Sequence, residues 1–173
     1  DTCVSSTSTI EATAGFGAPG WGYGVLSNPF SPEEVSGFVA EFNGWHQFED
    51  CVCVCRYNVR ENAELLVDIV NAITGWNMTH EDAMRVGRRV VNLLRVFNMR
   101  HGHDPNSEKP SPRYGSTPTD GPAQGIEIQK HWDWMVRDYR KRMGWNEDTG
   151  WPLEVTLRSL GLESLVHDVQ RSM

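Results

Sequence analysis

Several features are scarce in this chain, and each absence narrows what it can do. Basic charge is short: 16 Lys and Arg stand against 23 Asp and Glu, for a formal charge of −7 and a pI near 5.3. Such a balance excludes a nucleic-acid surface or a basic membrane patch. Only Lys109, Lys130 and Lys141 are lysines, unlike the Lys- and Glu-rich chains of hyperthermophiles. No apolar run approaches the roughly 18 residues of a membrane span, and no signal peptide is visible. A cytoplasmic protein with no membrane span and no nucleic-acid partner is expected. Convincing strand alternation is also missing. With 173 residues, enough for a real core, the reading is all-α: an irregular bundle of five or six helices. The chain begins at Asp1 rather than Met and is expected to be the C-terminal piece of something longer.

Cysteine is present but oddly placed. Three of the four lie at every other position in Glu49-Asp50-Cys51-Val52-Cys53-Val54-Cys55-Arg56-Tyr57. Disulfides fit poorly, because Cys51, Cys53 and Cys55 are too close to bridge one another and Cys3 offers one remaining partner. Reduced thiols are soft ligands for metals and iron–sulfur clusters. In an extended chain, residues two apart point from one face in parallel. Such thiols do not converge on one ion as a Cys-x2-Cys turn does. One thiol binding metal with co-ligands elsewhere is therefore expected, and the spacing alone does not say which.

Residues 1–30 are rich in Ser, Thr and Gly, with Gly15 to Gly24 interleaved with Phe16, Trp21 and Tyr23. They read as an entry segment that is a surface stretch, or a loop packing its aromatics on a neighbouring domain or a substrate channel. Residues 31–173 read as a helical domain. Ser31-Pro32-Glu33-Glu34 is a helix start, and Val35, Phe38, Val39, Phe42 and Trp45 make one apolar stripe running to His46, which caps or packs. A second helix, roughly 61–74, is expected to bury Leu65, Leu66, Ile69, Val70 and Ile73. A third, roughly 80–100, is expected to bury Ala83, Val86, Val90, Leu93, Leu94 and Phe97. Its arginines (Arg85, Arg88, Arg89, Arg95, Arg100) then form a solvated surface or meet an acidic partner or domain. Residues 101–126, with five prolines, read as an extended surface connection. His101, His103 and Asp104 within it are weak metal candidates. Helix returns over 130–143, then after Pro152, then in a final turn through Leu165, Val166 and Val169.

Several stretches together resemble one family, the tungsten-dependent aldehyde ferredoxin oxidoreductases, in their C-terminal domain. That family carries Asp-x-x-Gly-x-Cys, matched here by Asp50, Cys53 in place of the Gly, Val54 and Cys55. The likeness continues through Ala72-Ile73-Thr74-Gly75-Trp76, then Gly87 to Leu93 and Phe97-Asn98-Met99-Arg100. It runs on through Asp120 to Gly125, Gly144-Trp145-Asn146, Thr149 to Pro152 and Leu160-Gly161-Leu162, covering about residues 33–163.

The resemblance implies a redox enzyme holding a 4Fe–4S cluster and a tungsten (or molybdenum) bis-pterin. It would convert aldehydes to carboxylic acids and pass electrons to ferredoxin or a partner subunit. Three cluster cysteines would come from preceding domains of the same protein, and Cys55 would be the fourth. Asp50 would hydrogen-bond the pterin, and Val54 and Arg56 would touch it. Cys51 and Cys53 would be small buried filler. The family's acid–base residues precede this chain, so no catalytic residue is assigned. Within the same family, the tungsten subunit of a benzoyl-coenzyme A reductase, acting on an aromatic thioester, is the runner-up. A non-enzymatic helical interaction domain holding zinc through its cysteines and a His is the reading of another class. Substrate, metal choice and any homo-oligomer stay open.

Overall fold

The structure, a computed structural model, describes residues 31–54, 63–113, 115–121 and 124–170. The entry segment 1–30 and the stretch 55–62, with Cys55 and Arg56, lie outside the described residues. Among those described the chain is all-α. Its helices are α1 (Pro32–Phe42), α2 (Trp45–Cys51), α3 (Ala63–Thr74), α4 (His80–Arg100), α5 (Trp132–Arg142), α6 (Glu154–Ser159) and α7 (Val166–Gln170). Three single 3-10 turns, Pro105–Ser107, Ile128–Lys130 and Glu163–Leu165, sit between them, and one isolated bridge joins Trp145 to Pro152.

The first helix starts as its sequence dictates: the Ser31 side chain accepts from the Glu34 N–H, and Pro32 stands in the first turn. The stripe does not continue as one helix to His46, however. Asn43 leaves helical geometry and Gly44 takes φ +124°, a region natural only to glycine, so α2 sets off in a new direction. The break is seated on α4. A Cβ added at Gly87 would fall 1.6 Å from the Gly44 carbonyl oxygen, so that corner crosses α4 only where α4 has no side chain. Val35, Phe38, Val39 and Trp45 are all buried, because α1 packs on α5 while α2 packs on α4.

Helix α4, 21 residues long, opens with a capping box in which Thr79 and Asp82 satisfy each other's backbone N–H. It contributes to three apolar clusters in turn: Ala83 with Trp45, Phe48 and Leu66; Val91 with Met135, Tyr139 and Trp145; Val96 with Trp151, Leu157 and Val169. Its buried face differs from the expected stripe. Ala83, Gly87, Val91, Asn92, Arg95 and Val96 face inward, while Leu93, Leu94 and Phe97 are exposed. Likewise α3 buries Leu66 and Val67 and leaves Leu65, Ile69 and Ile73 outside, Ile73 at 80% exposure.

Polar residues lie inside α4 because each finds a partner. Asn92 Oδ1 accepts from Trp145 Nε1 at 2.9 Å. Arg95, fully buried rather than on a solvated surface, donates to the Gly150 carbonyl at 2.9 Å, lies over the Trp145 ring at 4.8 Å and pairs with Glu108. Arg88 donates to the Ala40 carbonyl, tying α4 to α1, whereas Arg85 and Arg100 are exposed and bind Ser159 and Asp168. Glu108 also changes the reading of 101–126. That connection is not merely draped over the surface. The Glu108 carboxylate is buried against Arg95, Arg140 (2.7 Å) and His103 (2.9 Å), and its carbonyl accepts from Trp132 Nε1.

Candidate cofactor-binding turn

Cys51 closes α2, and the chain then turns back on itself instead of running extended. The Cys53 N–H donates to the Asp50 carbonyl at 3.1 Å and the Val54 N–H to the Glu49 carbonyl at 3.2 Å. These two bonds are the nested pair of a Schellman C-cap, with Cys53 at the position that needs left-handed backbone. Its φ is +57°, and among the described residues it is the only one besides glycine with positive φ. The Asp-x-x-Gly-x-Cys pattern thus has a structural meaning in its first five positions. Asp50 stands in the last helical turn, the Gly position is the left-handed cap, and Val54 returns to pack on the cluster of Phe38, Trp45 and Phe48. Cys55 follows directly, beyond the described residues.

The turn's outer side is the exposed one. Asp50, Cys51 and Cys53 are exposed and Val54 is half-buried, with the two cysteines as free thiols. Burial as small filler is therefore wrong for Cys51 and Cys53: the helix end and the left-handed cap turn both outward. The parallel presentation of the thiols fails as well, since it needed extended backbone. Of the candidate site residues, Asp50 and Val54 are on one turn, and Cys55 and Arg56 fall outside the described residues.

The inner side is a buried polar knot that sequence reasoning missed. Glu49 is fully buried; its Oε1 accepts from Trp45 Nε1 at 2.8 Å, and its Oε2 lies 2.7 Å from His46 Nδ1. Trp45 stacks on His80 of α4 with centroids 4.9 Å apart. His46 is thus a packing residue, as expected. The available signal was Trp and Glu four apart, just before Asp50.

The turn thus exposes Asp50 beside Cys51 and Cys53 on one side and buries Glu49 with Trp45 and His46 on the other. The weak candidates in the proline-rich connection do not join it. His101 Nδ1 bonds to the Phe97 carbonyl at 2.7 Å and His103 to Glu108. No group of three or more His, Cys, Asp and Glu able to hold a metal is found among the described residues. No described helix is long and apolar enough to cross a membrane.

Residues 3–162 match the family model described as aldehyde ferredoxin oxidoreductase, domains 2 and 3. The chain is 35% identical over 150 residues to a tungsten-containing aldehyde ferredoxin oxidoreductase of Pyrococcus abyssi, which covers 85% of this chain and 24% of that protein. The Pyrococcus furiosus protein of the same name is 36% identical over 97 residues, 55% of this chain and 16% of its own length. A Pyrococcus furiosus aliphatic sulfonate oxidoreductase, WOR-like subunit, is 26% identical over 131 residues, 72% of this chain and 21% of its own length. No solved structure matches the chain significantly. The chain therefore spans about a quarter of the length of the curated relatives it matches. The family model covers nearly all of it, and the chain belongs to the aldehyde ferredoxin oxidoreductase family.

Proposed function

We propose that residues 31–173 are the helical C-terminal domain of a larger tungsten bis-pterin, iron–sulfur enzyme that oxidises aldehydes to carboxylic acids. The observation that carries this reading is the Asp50–Val54 turn, whose left-handed Cys53 stands where the family's motif has glycine. The names of four relatives, all tungsten-containing aldehyde ferredoxin oxidoreductases, support the activity. In this reading Asp50 accepts from ring N–H groups of the pterin and so orients it. Val54 and Arg56 bring side chain or backbone against it, and the Cys55 thiolate is one cluster ligand. Bound there, a tungsten pterin would supply the two-electron acceptor needed as an aldehyde and water become a carboxylic acid and two protons, and a cluster held in part by Cys55 would supply the one-electron route to ferredoxin or a partner subunit. This chain's residues hold and orient; the proton-handling groups belong to the preceding domains.

The test is metal analysis and electron paramagnetic resonance on the purified full-length protein. Iron and tungsten (or molybdenum) with a cluster signal are expected, and zinc alone would overturn the reading. Cys55→Ala is expected to lose the cluster, while Cys51→Ala keeps it; equal iron loss in both would refute the assignment of Cys55. Oxidation of simple aldehydes with a low-potential acceptor is expected, and turnover of an aromatic thioester instead would favour ring reduction.

A further inference from the structure

Two helices of this domain are apolar on sides that the domain itself leaves bare. On α4, Val86, Val90, Leu93, Leu94 and Phe97 recur at steps of three and four and so share one side. The first part of that stripe is used: Val86 packs on the cluster that holds Leu66 and Val67 of α3. The last part is not. Leu93, Leu94 and Phe97 are 47%, 38% and 54% exposed, Phe97 even with His101 stacked on it. The cause is length. α4 has 21 residues and α3 has 12, so α3 covers about 18 Å of a helix about 31 Å long. The outer side of α3 adds to the bare strip, with Leu65, Ile69 and Ile73 recurring every fourth residue and all exposed.

These are the same side chains that the helical period marks for burial, so pattern and fold disagree at one place only: this face. Six large side chains, each exposed by more than a third, leave on the order of a few hundred Å² of apolar surface, as much as a soluble monomer shows at a binding site. All six are aliphatic or aromatic. That suits a permanent interface, whereas a passing electron-transfer partner docks through a small contact. The relatives supply the occupant. About three quarters of the Pyrococcus abyssi protein lies outside the part this chain matches, and a family model described as domains 2 and 3 presupposes a first. A domain tethered on the same polypeptide meets the face at an effective concentration near millimolar, which a second copy does not reach.

We propose that the face formed by Leu65, Ile69 and Ile73 on α3 with Leu93, Leu94 and Phe97 on α4 is where another domain of the same polypeptide packs. The inference rests on the reading of the chain as one domain of a larger enzyme, and it names the surface through which that domain is held. The stripe is then buried after all, by a neighbour instead of by this domain's own core.

The experiment uses the full-length protein. A photo-cross-linking residue, p-benzoylphenylalanine, replaces Ile73 in one variant and Phe97 in another, and mass spectrometry locates the peptides joined on illumination. Links within one chain to peptides outside these 173 residues are expected. Covalent dimers would assign the face to a second copy, and links to residues 1–30 would assign it to the entry segment; either overturns the proposal, as does the absence of links. A second measurement follows limited proteolysis, which tracks the population of the undocked form. Ile69→Lys combined with Leu94→Lys is expected to speed cleavage between this domain and the rest by about tenfold or more. Glu147→Lys is the control and should be cleaved at the wild-type rate. Glu147 is exposed on the loop whose Gly150 carbonyl binds Arg95, on the opposite side of α4. A double variant cleaved no faster than the wild type would overturn the proposal. Zinc alone in the wild-type sample would overturn the enzyme reading and this inference with it. Iron and tungsten together with cross-links that run elsewhere would overturn the inference alone.

Discussion

At the scale of single residues, Cys53 holds the one position among those described where a side chain is forced into glycine's conformation. Left-handed backbone costs a residue with a Cβ about 1–2 kcal/mol. Glycine there loses roughly 0.4–1 kcal/mol through its freer unfolded chain. The thiol is exposed, so little packing is lost with it. Cys53→Gly is accordingly expected to stabilise the protein by about 0.5–1 kcal/mol, seen as a higher urea midpoint at unchanged slope. An unchanged or lower midpoint would mean that the thiol makes contacts that offset the strain. The identity of this position as a cap could not be read from the residue itself. Cysteine carries no turn signal, and only the family's glycine marked the place.

At the scale of elements, α3 shows why periodicity alone misjudges a face. Leu65, Leu66, Val67, Ile69, Val70 and Ile73 are apolar over more than half of its circumference, so the helical period is clear but the inward direction is not. Contacts with Trp45, Phe48 and Ala83 decide it in favour of Leu66 and Val67. The two sides make opposite predictions. Leu66→Ala should cost about 2–5 kcal/mol in denaturant unfolding of this chain, since it opens a cavity in a packed cluster. Ile73→Lys should stay within about 0.5 kcal/mol, as a change at an exposed site does. Equal losses would place Ile73 in the core after all. In α4 the inversion has another cause: Asn92 and Arg95 go inside because Trp145, Gly150 and Glu108 satisfy them there. No reading of α4 by itself contains those partners.

At the scale of the molecule, Glu108 joins parts of the chain that the sequence leaves separate. It links the connection after α4 to Arg95 on α4 and to Arg140 on α5. Arg140 also donates to the carbonyls of Glu147 and Asp148. Burial by itself would raise the Glu108 pKa, but the charge of Arg95 and hydrogen bonds from Arg95, His103 and Arg140 outweigh it. The pKa is held at about 2, against an ordinary 4.5. Because the folded value is the lower one, this stabilisation is complete above pH 4.5 and fades as pH falls toward 2. It amounts to about 3 kcal/mol at 1.4 per unit. Glu108→Gln should flatten the fall in stability across that window when unfolding is followed against pH. At neutral pH it should cost about 3–5 kcal/mol, because two buried arginines lose their counter-charge. A variant with the wild-type acid profile would show that other carboxylates govern acid unfolding.

The sequence by itself determined the all-α class and most helix starts and stops, because caps such as Ser31-Pro32 and Thr79 with Asp82 act within a few residues. It also determined the family motif around Asp50, which is written in consecutive positions. Tertiary structure alone decided the break at Gly44 over Gly87 and the burial of Arg95 with Glu108. The burial of Glu49 against Trp45, itself stacked on His80, was decided there too. Each depends on a partner far along the chain or on a close approach of two backbones, and neither leaves a periodic trace. What opened as a row of alternating thiols is, in the fold, a helix cap with its acid and thiols outward and a buried carboxylate behind it.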